Sequence, residues 1–264
     1  MKNLAIVLCI EANLSQENNN ALLNLGIALH KGTNFPIQLF HVIENKDGNG
    51  VDTRFLEVEN YLNHSLAELV KLGVPNATAK IEQGDFKSKL VENYPDSHLI
   101  VLGKSGLDNK NQHIEALGSN LEAIIMNSKS PVLIQKKSAL DEILLAFDGR
   151  ASIAKVTECP LFLSLANNAR CVHVVSINNN LPLLEEQHEL LCDELKASGI
   201  KIKSVFIDKC KLGIAEKLAE YERTNQIGLT VIGAFAKAKV RPFFLGSQTS
   251  KLLKEINSSI MFYR

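Results

Sequence analysis

Gly233, Gly246, Ser247 and Thr249 have the types and spacing to hold phosphate. They lie in the stretch VIGAFAKAKVRPFFLGSQTS, residues 231–250. A short apolar run, Leu229 to Ile232, predicts a strand that stops at Gly233. A loop with Lys237, Lys239 and Arg241 follows. Then Gly246-Ser247-Gln248-Thr249 leads into the helical spacing of Leu252, Leu253 and Ile256. The first N–H groups of a helix have no partner within it, and the helix dipole favours negative charge there. Ser247 and Thr249 add hydroxyl donors at that end. Gly-Ser before a helix is also an ordinary N-cap, and the three cations suit either phosphate or solvent, so the stretch alone leaves both readings open.

Other chemistry is thinly represented. His41 and His173 fall on the second predicted strand of each half. With no acidic or cysteine partner at metal spacing, they read as strand residues rather than ligands or catalysts. Ser247 has no recognisable His/Asp pair around it. Asp148-Gly149-Arg150 lacks the glycine-rich loop and lysine of a Walker ATPase. No carboxylate pair suggests acid–base work. The residues make no case for a dedicated enzyme. The five cysteines form no C-x-x-C pair and several sit in apolar runs, which predicts a reducing, cytoplasmic setting and no structural zinc or other metal site.

Composition bounds the partners. Lysine plus arginine equals aspartate plus glutamate at 29 each, so no global field draws the chain to nucleic acid or anionic membrane. Tryptophan is absent, which argues against an aromatic stacking platform for single strands. No apolar stretch approaches the ~18 residues of a membrane span. The opening MKNLAIVLCI superficially resembles a signal peptide but ends at Glu11 without a small-residue cleavage site, so it reads as a first buried strand.

The elements needed to position these residues alternate along the chain. Strands are predicted at 4–10, 35–43, 77–81, 98–102 and 131–134. Helices are predicted from Ser15 to near Gly32, over 51–72 with Gly73 as stop, over 86–93, and from Gly118. The order then recurs: strands at 143–147, 170–175, 200–207, 228–232 and 260–263, with helices from 151 (interrupted by Pro160), over 183–198, over 212–221 and over 246–256. Such alternation predicts α/β architecture with parallel sheets covered on both faces. The recurrence is also visible in residues. Phe40-His41-Val42 matches Val172-His173-Val174 at an offset of 132, Gly103 matches Gly233 at 130, and Gly118-Ser119 matches Gly246-Ser247 at 128. Drift confined to loops is how duplicated domains diverge. Lys136-Lys137-Ser138 reads as a linker, which places one domain at 1–137 and a second at 138–264.

On these motifs the chain resembles the universal stress proteins in their tandem form. The family signature, G-x2-G-x9-G-[S/T], joins the fourth strand to the fourth helix. The second half reads Gly233-x2-Ala236-x9-Gly246-Ser247, with Asp148 where the family ends its first strand in aspartate. The first half reads Gly103-x2-Gly106-x11-Gly118-Ser119. The resemblance covers both halves, essentially end to end. It implies two doubly wound domains, Rossmann-like and of the adenine nucleotide alpha-hydrolase kind, each with five parallel strands and helices on both faces. It further implies ATP or another adenine nucleotide, with or without Mg2+, at the carboxyl ends of the strands.

Carried over by position, Asp148 accepts hydrogen bonds from the nucleoside end and backbone near Val174 contacts adenine. Gly233 lets phosphate approach, and Gly246, Ser247 and Thr249 bind its oxygens. Ala236 departs from the family glycine and brings a methyl group near the phosphates. Pro242 stiffens the loop. The first half departs further: Glu11 replaces the aspartate, its loop is two residues longer, and Leu121 stands where Thr249 does. The second domain is therefore the expected site of a nucleotide-dependent stress regulator with an unidentified protein partner. The resemblance leaves room for slow ATP hydrolysis. It also implies pairing through the fifth strands, as an internal pseudo-dimer, and leaves a homodimer open. The alternative is a stress scaffold or interaction module with vestigial sites.

Overall fold

The computed structural model describes all residues except 1–3, 11–15, 44–50, 104–120, 122, 126, 138, 150–154, 178–182, 208–212, 234–246 and 264. The chain forms two compact units, Met1–Ile134 and Gln135–Arg264.

In the first unit the order is β1 (Ile6–Cys9), α1 (Gln16–Thr33), β2 (Ile37–Ile43), α2 (Val51–Lys71), β3 (Thr78–Gln83), α3 (Phe86–Asn93), β4 (Leu99–Leu102) and β5 (Val132–Ile134). Residues 121, 123–125 and 127 are helical. The strands lie in the order β3-β2-β1-β4-β5, with parallel pairing at each described step. All four residues of β1 are buried. Successive strand side chains point to opposite faces, so both faces of this sheet are covered.

The second unit repeats the plan. Its elements are β6 (Glu142–Ala146), a 3-10 turn (Lys155–Glu158), α4 (Pro160–Asn168), β7 (Cys171–Ile177), α5 (Leu184–Ala197), β8 (Ile202–Ile207), α6 (Ile214–Thr224), β9 (Leu229–Gly233), α7 (Ser247–Glu255) and β10 (Ser259–Tyr263). The order β8-β7-β6-β9-β10 is that of the first unit, again parallel throughout. The first strand is central in each unit, and the order reverses beside it. That reversal is the switch point at which open α/β sheets bind ligands.

Two local expectations, for Pro160 and for the lysines read as a linker, are corrected, and the end of α1 falls near Gly32 as expected. Pro160 starts a helix instead of interrupting one. It sits at the first helical position, where its missing N–H has no partner to lose. Helix α1 runs through Gly32 to Thr33, and Asn34, at φ 58, takes the left-handed position that ends it. The lysines read as a linker are fastened into the second unit. Both their backbone N–H groups donate to Ser259 Oγ at 3.0 Å. Lys136 Nζ also donates to the carbonyls of Leu253 and Ile256 at 3.1 and 2.7 Å, closing the end of α7. Among the described residues no helix is long and apolar enough to cross a membrane.

Candidate functional site

Neighbouring strand ends build the site in the second unit. β6 pairs with β9 in the register Ala146↔Ile232, so Gly233 ends β9 level with Phe147 and Asp148 follows one residue beyond, both at the carboxyl edge of the sheet. On the other side β6 pairs with β7, Ala146 opposite Val175. These ends border a cleft of about 180 Å³, smaller than the ~300–1,000 Å³ of a complete small-molecule pocket. Ile214, Ala215 and Leu218 of α6 form one wall and Leu252 of α7 contributes another. Nine of the eleven lining residues are apolar, and Asp148 is the one charged group among them. That composition suits a flat, uncharged ring system with one hydrogen-bonding edge. Helix α7 begins at Ser247. Because β9 and β10 are parallel neighbours, the chain must run back against them through α7, which puts the helix start at the carboxyl edge with the cleft. Lys251 of α7 donates to Glu216 of α6, tying the two walls together and holding the Glu216 carboxyl below its ordinary value.

A buried polar network holds the strand end that carries Asp148. Phe147 N–H donates to the Val175 carbonyl at 2.9 Å, and Ser176 Oγ donates to the Phe147 carbonyl at 3.0 Å. The single hydroxyl proton of Ser176 is thereby used. Its oxygen must accept from His188 Nδ1, 2.7 Å away, which fixes the tautomer. His188 Nε2 then accepts from the Ser204 hydroxyl at 2.9 Å. His188 is only 2% exposed, and burial pushes its pKa below the ordinary imidazole value. The turn after Asp148 depends on glycine. Gly149 has φ +79, and a Cβ there would lie 3.0 Å from Leu184 Cδ1 and 3.1 Å from Gln187 Oε1.

Of the residues expected from sequence, Asp148 and Gly233 meet in the cleft. Val174 lies inside β7, fully buried, while Val175 and Ile177 face the cleft from the other side of the strand. The backbone of Ser247 and Thr249 is in the first turn of α7. Ala236 and Gly246 lie outside the described residues, as do Lys237, Lys239, Arg241 and Pro242. Sequence reasoning missed Ser176 and His188. A lone histidine on an amphipathic helix carries no signal of its own; only the strand register reveals its partner.

Register also corrects the equivalence of the two strand histidines. Ile10 N–H donates to the Phe40 carbonyl as Phe147 N–H does to Val175, so Phe40 corresponds to Val175 and His41 to Ser176. The roles agree: His41 Nδ1 donates to the Ile10 carbonyl at 2.6 Å, as Ser176 does to Phe147. His173 belongs three positions earlier, and it has both an acidic and a cysteine neighbour, Glu142 and Cys171. Glu11 and the loop after Gly103 lie outside the described residues.

No protein-family model and no curated protein matches the chain. Solved structures do. A universal stress protein from Archaeoglobus fulgidus DSM 4304 aligns over 99% of this chain and 98% of its own, with TM-score 0.73 and 18% identity. A protein of unknown function from Pseudomonas aeruginosa PAO1 aligns over 98% and 91%, with TM-score 0.66 and 16% identity. The chain therefore has, over 99% of its length, the fold of a solved universal stress protein.

Proposed function

We propose that this chain is a tandem universal stress protein that binds ATP or a related adenine nucleotide in its second unit and acts as a nucleotide-dependent regulator. The observation that carries the reading is the convergence of Asp148 and Gly233 on one apolar cleft at the switch point of the sheet. The apolar walls take the adenine, and the Asp148 carboxylate accepts from the nucleoside hydroxyl or amino groups. The phosphates extend past Gly233 toward Gly246, Ser247 and Thr249 at the start of α7, where unpaired N–H groups face negative charge. Ala236 stands where the family signature has glycine, and its methyl is the expected limit on phosphate approach. These residues bind and orient the nucleotide. Nucleotide occupancy changes partner binding only through a difference in affinity between two conformations.

The test is to denature the purified protein and identify the released small molecules by chromatography and mass spectrometry, then to repeat this with Asp148→Ala. Near one adenine nucleotide per chain, lost in the variant, supports the reading. If neither endogenous nor added nucleotide binds, it fails. A second reading, an interaction module whose cleft takes an apolar group from a partner, draws on the same wall composition and on Ile214, exposed at 44% beside the cleft. It predicts no nucleotide but retained partner capture.

A further inference from the structure

The opposite edge of the same sheet carries a second cluster. Glu142 is the first residue of β6 and Cys171 the first of β7, and the register sets them side by side. His173 follows Cys171 by two, so its side chain projects from the same face. One donor atom from each of the three lies within 4.8 Å of the others. His173 Nε2 is 3.1 Å from Glu142 Oε2, and Tyr221 Oη is 2.9 Å from His173 Nδ1. Cys171 is half-buried and not in a disulfide.

We propose that Glu142, Cys171 and His173 form a Zn2+ site at the amino-terminal edge of the second unit's sheet. Thiolate, imidazole and carboxylate together match this borderline cation better than Mg2+ or Ca2+, which take oxygen ligands. Zn–S of ~2.3 Å and Zn–N of ~2.0 Å put tetrahedral ligands roughly 3.5 Å apart, so the triangle needs to close by about an ångström. Two ligands on one strand and the third on its hydrogen-bonded neighbour are fixed by backbone rather than by a loop. Tyr221 supplies the outer partner that orients a ligating imidazole.

On binding, the Cys171 thiol gives its proton to solvent. The imidazole carries its one proton on Nδ1, toward the Tyr221 oxygen, and Zn2+ takes the place of hydrogen between Nε2 and Oε2. The nearby cations leave that position open. Arg170 Nε reaches the other carboxylate oxygen, Oε1, at 3.4 Å, and also Asp141 Oδ2 at 3.0 Å. Lys203 Nζ is bound to Asn225 Oδ1 at 3.0 Å. Three protein ligands leave a fourth position for water or an exchangeable donor, as in sites that act on a ligand rather than only hold a fold.

The experiment titrates metal-free, untagged, full-length protein with Co2+ as a spectroscopic probe, followed by displacement with Zn2+. The expected result is one equivalent bound, with a thiolate-to-cobalt charge-transfer band that Zn2+ removes. Cys171→Ser abolishes the band, and His173→Gln weakens cobalt affinity at least tenfold, whereas Cys192→Ser changes neither. A wild-type protein without the band, or a band that survives Cys171→Ser, overturns the site. Should Cys171→Ser fail to fold, His173→Gln decides, and unaltered affinity in it overturns the site equally. No nucleotide enters the measurement, so its outcome is independent of the nucleotide reading.

Discussion

Asp148 is the residue on which the nucleotide reading turns. A carboxylate accepting a ligand's hydrogen bond contributes about 1.5–3 kcal/mol, or roughly ten- to a hundredfold in affinity. Asp148→Ala should weaken ATP binding by that factor in calorimetry, and an unchanged Kd means the site lies elsewhere. His188 acts one step behind, through Ser176 and the Phe147 carbonyl. Its folded pKa is depressed by burial. Above its unfolded value of ~6.5 the imidazole is neutral in both states and stability does not depend on it. Below that, the unfolded chain takes up a proton that the folded chain resists, so stability falls with pH until the folded value is passed. Melting temperature should therefore drop between pH 7.5 and 5.5, and His188→Gln, less stable throughout, should show a smaller drop. Equal drops in the two proteins would remove His188 as the cause.

At the scale of the element, strand ends and tight junctions decide what can change. Gly228 leads into β9, its N–H bonded to the Glu142 carbonyl at 2.8 Å and its carbonyl to the Ser259 N–H at 2.9 Å. A Cβ there would collide with the Ala139 carbonyl, which is backbone and cannot step aside. Gly199, which ends α5 at φ +81, has open space around it. Gly228→Ala should thus cost about 1–3 kcal/mol or more in urea unfolding, against about 1 kcal/mol for Gly199→Ala, where only the backbone conformation resists. A reversed ranking would contradict this packing.

The same junctions explain what could be read beforehand. Central strands such as Leu99–Leu102 stood out because burial on both faces demands an unbroken apolar run. Glycine stops at 73 and 199 announced themselves by residue type. Pro160 was misread because a proline both ends and begins helices, and only its hydrogen-bonding position separates the two. Asp148 and Gly233 were legible as strand-end punctuation. The Ser176–His188 pairing was not, because register across strands leaves no trace in a single sequence.

Over the whole molecule, one strand plan occurs twice with different chemistry at corresponding points, and this predicts how many ligands a chain holds. Cys9 pairs with Leu102 as Ala146 pairs with Ile232, so Gly103 corresponds to Gly233 and Glu11 to Asp148. Behind these ends, His41 fills the place of Ser176 and bonds the Ile10 carbonyl directly. A serine there leaves room for a second layer, which His188 and Ser204 supply in the second unit. In the first unit the bulkier imidazole of His41 stands at that position. Glu11 adds a methylene where the aspartate stands, and Leu121 removes the hydroxyl that Thr249 provides. Each change lowers the first unit's capacity for the ligand proposed for the second. Saturation with ATP should accordingly stop near one per chain. Asp148→Ala should abolish most of that binding, while Glu11→Ala should leave both stoichiometry and affinity within a factor of two. Two equivalents in the wild type, or loss of binding in Glu11→Ala, would mean that the duplicated fold has kept both sites.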